Sequence, residues 1–180
     1  YIVFVDSDDY VSNDYCNVIL NVINRQENFD IVIYNFYNSK IKKRKFPSKR
    51  INQLLFLFEN DLFGWTCNKI VKKDILLKDK IMFDENLKIC EDQLFYMNYF
   101  DFVDKILFVP KPIYFYYQRP NSAMSAKYSD DVRQLVYIQK KKFFIKENLF
   151  EHRLGKKVFA DYCLNILLCC ENKKSSIIAN

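Results

Sequence analysis

The sequence has one histidine, His152, two glycines and no C-x-x-C pair among its 180 residues. A Cys/His zinc site is therefore not expected, since unpaired cysteines and one imidazole do not supply its ligand spacing. With two glycines there is no Gly-rich turn to bring backbone against a phosphate. No apolar run approaches the roughly 20 residues that span a bilayer. The apolar start, residues 1–5, has no basic leader and does not read as a signal peptide. Internal repeats and low-complexity segments are absent too. The six cysteines (Cys16, Cys67, Cys90, Cys163, Cys169 and Cys170) mostly adjoin apolar residues. They read as reduced, buried thiols of a cytoplasmic protein rather than a disulfide framework.

Half of the residues are hydrophobic and 17% are aromatic, which excludes an intrinsically disordered chain. The formal net charge is +6, concentrated in residues 41–50 and in Lys140-Lys141-Lys142. Two readings of that charge stay open. It is either solvated surface, or an attraction to phosphate-bearing substrates or to the anionic inner face of a membrane, touched peripherally. Nucleic acid is not an expected partner, because no binding motif accompanies the charge.

Periodicity implies an α/β organisation. Residues 1–5 read as a buried central parallel strand whose carboxyl end opens into a site. A helix with a polar cap at Ser12, Asn13 and Asp14 follows, with Tyr15, Val18, Ile19, Val22 and Ile23 on its apolar face. Residues 29–36 form a second strand, residues 52–62 a helix broken at Gly64, and residues 66–77 end in a short helix. Residues 81–83 are a short extended piece. Residues 91–103 read as a helix with Leu94, Phe95, Met97, Asn98 and Phe102 on one face. Residues 105–109 and 112–117 read as two strands separated by prolines, and residues 130–170 as two helices before a fraying tail.

The chemistry concentrates at Asp6-Ser7-Asp8-Asp9, three carboxylates within four residues after an apolar strand. Carboxylates so close repel unless a cation or strong hydrogen bonds hold them. In an extended segment Asp6 and Asp8 project to one side, and such hard oxygen ligands suit Mg²⁺ or Mn²⁺. The alternative is a solvated turn or helix cap, with Asp9 in the capping role. Glu91-Asp92 opens an aromatic helix. There the pair either favours the helix dipole or supplies a general base. Trp65 is either a buried anchor or a sugar-stacking ring. Arg119 is either a surface residue in a turn or a fork matched to phosphate oxygens.

Taken in order, these segments resemble family 2 glycosyltransferases of the GT-A fold. The stretch YIVFVDSDDYV (residues 1–11) is similar to that family's strand and D-x-D segment. The resemblance implies Asp6 as a nucleotide contact, Asp8 as the ligand of Mn²⁺ or Mg²⁺, and Asp9 as nearby or structural. The pair Glu91-Asp92, led in by Phe83-Asp84-Glu85, matches the family's E-D motif. Asp92 is then the implied base, with Glu91 positioning the acceptor. Residues 63–70, FGWTCNKI, are similar to a stretch beside the acceptor site, which implies Trp65, Asn68 and Lys69 as acceptor contacts. Residues 112–122, PIYFYYQRPNS, are similar to a loop that closes over the donor diphosphate, which implies Arg119 and Ser122 as donor contacts. The histidine that some members carry in this loop is absent.

The resemblance covers residues 1–125. Residues 1–128 are expected to be the metal and acceptor half of a GT-A domain, and residues 129–180 a C-terminal helical extension. A complete family member begins with a nucleotide-binding unit of roughly 90 residues, the size of a few βα units. The expectation is therefore an incomplete domain within a longer product. The expected function is inverting, metal-dependent transfer of a sugar from a nucleotide-sugar to a hydroxyl of a glycan or lipid-linked acceptor. Two alternatives remain: a non-catalytic binding or scaffold domain of the same fold, and another Mg²⁺ enzyme using the same Asp cluster.

Overall fold

The computed structural model describes residues 1–25, 28–37, 45–117 and 129–178, with side chains described as far as residue 166. The chain divides into two compact units, Tyr1–Lys127 and Tyr128–Asn180. The first is built on a mixed sheet of five strands: β1 (Ile2–Val3), β2 (Tyr10–Val11), β3 (Ile31–Phe36), β4 (Lys69–Val71) and β5 (Ile106–Phe115). Their order across the sheet is β1-β4-β3-β5-β2. β3 and β5 run parallel, and the other pairings are antiparallel.

β3 is buried along almost its whole length, because helices cover both faces of the sheet. Val32 and Tyr34 point toward helix α1 (Tyr15–Ile23) and join Tyr15, Ile19 and Val22 in one cluster. Ile31 and Ile33 alternate to the other face. On that face Phe56 of α2 (Arg50–Glu59) packs edge-on to Phe108, and Tyr96 of α4 (Glu91–Tyr99) lies beneath Lys69. A short α3 (Lys73–Lys78) follows β4, and a 3-10 turn, Phe100–Phe102, extends α4. The second unit comprises α5 (Asp130–Lys146), capped by Ser129 Oγ accepting from Val132 N, a 3-10 turn at Leu149–Glu151, and α6 (Arg153–Ile178). Phe144, Phe150 and Phe159 pack mutually at its centre.

Several sequence expectations are corrected. The opening strand is not central in this chain: β1 is two residues long and lies at a sheet edge beside β4, with Tyr1, Val3 and Val5 exposed. β4 itself replaces part of an expected helical approach, since three consecutive residues, Lys69–Val71, bridge β1 and β3. The two expected strands around Pro110 and Pro112 are one strand, β5. The prolines, which lack an N–H, fall where the register slips, so that Asn35 faces Pro112 directly after Tyr34 faces Val109. In α4 the buried residues are Phe95, Tyr96, Met97 and Tyr99, whereas Asn98 is exposed and Phe102 is 46% exposed. Of the four cysteines with described side chains, only Cys67 is buried, and Cys16 is exposed.

Candidate functional site

Beyond β1 the chain does not stay extended. It turns through Ser7 and Asp8, with Asp9 N donating to Asp6 O at 3.2 Å. Asp6 and Asp9, three apart across the turn, are therefore brought together, rather than Asp6 and Asp8 by strand alternation. The carboxylate oxygens of Asp6 and Asp9 and Sγ of Cys67 all lie within 4.8 Å of one another. Asp8 sits half-buried in the turn between them.

Tyr114, near the end of β5, ties this loop down. Its hydroxyl accepts from Asp6 N at 3.1 Å and donates to Asp9 Oδ2 at 2.6 Å. Tyr117 N donates to Asp9 Oδ1 at 2.8 Å. Asp9 thus has both oxygens engaged by β5 and the residues after it, while Asp6 holds Tyr114 only through its main chain. Nothing in the sequence marked Tyr114 as a site residue. The available signal was its place at the end of a strand that had to lie beside the acidic segment.

The Asp6 carboxyl is raised above its ordinary range by partial burial and by the negative charges of Asp9, Asp8 and Glu91. The residue is exposed overall, so the three neighbouring carboxylates are the cause that matters for a ligand. Like charges held this close gain from a cation, and their oxygen donors are those that Mg²⁺ or Mn²⁺ prefers. The Asp6 and Asp9 carboxylates therefore fit such an ion, whereas Asp8 is not among the groups that converge there. Cys67 does not belong to the set: burial pushes its thiol up to about 12, and a protonated sulfur is a poor partner for a hard cation.

The second acidic pair approaches from α4. Cys90 precedes it in a left-handed conformation (φ 63°), which turns the chain sharply into the helix and sets Glu91 and Asp92 in the first turn. Glu91 contributes to the raised Asp6 carboxyl, so the two acidic segments share one electrostatic environment. Asp92 is raised to about 6, by burial first and by Glu91 as well, against a lowering pull from Lys69. Its Oδ1 accepts from Gln93 N at 2.7 Å.

The 62–69 segment lies between the two. Trp65 is half-buried, edge-on to Phe36 at 5.8 Å and to Tyr116 at 5.1 Å. Asn68 and Lys69 are both fully buried. The Lys69 ammonium donates to Leu62 O and Asn68 Oδ1, each at 2.8 Å, and to Trp65 O. Asn68 Nδ2 makes a 3.4 Å contact with Leu62 O. Both polar groups therefore face inward, and their hydrogen bonds shape the segment that presents Trp65. The sequence resemblance did not distinguish an inward from an outward lysine. Arg119 and Ser122 lie outside the described residues.

No family model matches the chain. Over 140 residues it is 25% identical to the uncharacterized glycosyltransferase EpsJ of Bacillus subtilis, covering 71% of this chain and 40% of that protein. Over 128 residues it is 26% identical to EpsH of the same organism, a glycosyltransferase by assignment, covering 64% of this chain and 37% of that one. Among solved structures, S. aureus TarS 1–349 in complex with UDP-GlcNAc superposes with a TM-score of 0.59 at 22% identity, over 89% of this chain and 47% of that chain. The UDP complex of the same protein gives 0.54 at 19% identity, over 89% and 45%. The chain spans about two-fifths of the length of the two curated relatives. It resembles glycosyltransferases through most of its sequence, and the α/β fold with C-terminal helices expected from that resemblance is the fold it shares with TarS.

Proposed function

We propose that the chain forms the cation- and acceptor-side part of a glycosyltransferase that moves a sugar from a nucleotide-sugar to a hydroxyl of a glycan or lipid-linked acceptor. The observation that carries this reading is the packing of Phe4, two residues before Asp6, edge-on against Phe95 of α4, which brings the Asp6–Asp9 segment close enough for Glu91 to raise the Asp6 carboxyl. The similarity to EpsJ and EpsH supports the reaction class. The TarS complex with UDP-GlcNAc supports a nucleotide-sugar as donor.

In this reading Asp6 contacts the nucleotide and Asp8 holds Mn²⁺ or Mg²⁺, with Asp9 anchored by Tyr114 and Tyr117 N to keep the loop in shape. A bound divalent cation would neutralise charge on the donor diphosphate. Asp92 acts as general base. With its carboxyl raised to about 6, it is ionised at neutral pH yet more basic than a solvated aspartate. As the acceptor oxygen forms its bond to the sugar's anomeric carbon, the bond from that carbon to the diphosphate breaks, and the acceptor's proton passes to the Asp92 carboxylate. Configuration inverts in a single displacement. Glu91 positions the acceptor and Trp65 lines its approach. Arg119 and Ser122 are assigned to the donor diphosphate on their sequence pattern alone.

The test is sugar transfer from UDP- and other nucleotide-sugars by the gene product that carries this chain, with and without Mn²⁺ or Mg²⁺. Asp8→Asn is expected to abolish the metal response and Asp92→Asn to lower turnover at least 100-fold. Undiminished transfer by Asp92→Asn would remove Asp92 as the base.

A further inference from the structure

The least expected group near the site is a lysine with no route to solvent. Lys69 is fully buried, and a buried ammonium is costly unless every proton it carries is taken up. Here each is: Leu62 O, Trp65 O and Asn68 Oδ1 account for all three donors. Below the ammonium lies the ring of Tyr96, 4.3 Å from Nζ to the centroid, in cation–π geometry. A methionine of similar length would fill the volume without charge but would strand Trp65 O and Asn68 Oδ1 and leave Leu62 O only its 3.4 Å contact from Asn68 Nδ2. The position is therefore built around a cation.

Tyr96 stands four residues after Asp92 on α4, so the two project from the same helical face, one turn apart. The cation over the Tyr96 ring is thus about one helical turn from the Asp92 side chain, close enough for each charge to act on the other. The Tyr96 hydroxyl is itself buried, with no hydrogen-bond partner among the described residues.

We infer that Lys69 is a positioning residue for Asp92: its ammonium locks the 62–69 segment onto α4 and supplies the positive charge that keeps the Asp92 carboxylate ionised and ready to accept a proton. The functional half of this inference rests on the proposed role of Asp92; the electrostatic half does not. The mutual influence of the two groups agrees with it. Lys69 lowers the Asp92 carboxyl, and Asp92 in turn supports the lysine against the burial that pushes it down to about 7. The other charged or titratable groups facing the pair are Glu91 on α4, and Asp61 and Cys67 on the adjoining segment. Of these, Glu91 opposes ionisation of Asp92.

The experiment follows the Asp92 carboxyl and the Lys69 side chain by carbon-detected NMR titration in the chain itself and in two variants. In Lys69→Met the Asp92 midpoint is expected to rise by about one unit, the lower end of what an adjacent opposite charge supplies. The reciprocal variant, Asp92→Asn, keeps the side-chain shape and is expected to lower the Lys69 midpoint, because coupling between two sites acts equally in both directions. If Lys69→Met does not fold, Asp92→Asn alone decides. Unmoved midpoints in the folded variants would overturn the inference. In the gene product that carries this chain, the acid limb of the sugar-transfer profile should move upward with Lys69→Met and return with Lys69→Arg, a change that loss of packing alone would not produce. Shifted midpoints without any sugar transfer would leave the coupling standing and remove the transferase reading, while transfer with unmoved midpoints would do the reverse.

Discussion

Tyr34, Tyr99 and Tyr114 carry hydroxyls from the core to main-chain groups of the segments around the site. Tyr34 donates to Cys67 O and meets the Tyr15 hydroxyl at 2.9 Å. Tyr99 accepts from Lys72 N at 2.8 Å and donates to Asp30 O at 2.7 Å. Tyr114 holds the acidic loop. Each ring fills the core while its oxygen anchors a loop that feeds the site. Asp92 shows the opposite balance, a charged group kept where burial disfavours charge. Its folded carboxyl, at about 6, lies above the ordinary 3.8. Its stabilising contribution is therefore full below the unfolded value, near pH 4, and is lost as pH rises through 6. Asp92→Asn removes that loss and retains an acceptor for Gln93 N. It is expected to be more stable than the parent by about 1–2 kcal/mol at pH 7.5 and nearly equal at pH 4. Urea unfolding at both pH values measures this, and an identical gap at the two would contradict the burial argument.

At the scale of elements, the position of α4 depends on a glycine used for closeness rather than for an unusual backbone angle. A Cβ on Gly64 would lie 2.6 Å from Gln93 Cγ, well inside contact distance, and the first turn of α4 carries Asp92 beside that glutamine. Gly64→Ala should therefore displace either the Gln93 side chain or the helix start. The expected cost is about 1–2 kcal/mol of stability, as for overpacking elsewhere. Adding Gln93→Ala removes the clashing atom and should restore most of that loss, which thermal unfolding of the single and double variants would show. A double variant no better than Gly64→Ala would mean the obstruction lies elsewhere. Elements of this kind were partly legible from sequence. The start of α4 at Glu91 was readable because the acidic pair meets an aromatic run there. β4 was not, because three residues have no period of their own and become a strand only when β1 and β3 lie on either side. The unity of β5 was hidden for a related reason: Pro110 and Pro112 read as breaks until a partner strand absorbs them as a register shift.

The whole chain consists of two units, each with its own buried cluster. The first centres on Tyr34, Ile70 and Tyr114, and the second on Phe144, Leu149 and Phe159. A chain ended at Lys127 is accordingly expected to keep a cooperative urea transition, with its far-UV helical signal reduced by the share of α5 and α6. A non-cooperative transition would show that the first core does not suffice. No helix among the described residues is long and apolar enough to cross a membrane. The sequence by itself determined the α/β class, the order of the acidic, tryptophan and Glu-Asp segments, and their likeness to a glycosyltransferase family, because periodicity and local residue chemistry are written along the chain. Only the tertiary structure decided that Asp9 rather than Asp8 lies beside Asp6, that Lys69 faces inward beneath the site, and that Tyr114 grips the acidic loop from 105 residues away. Those facts depend on a turn and on sheet neighbours, and neither is encoded in the spacing of the residues involved.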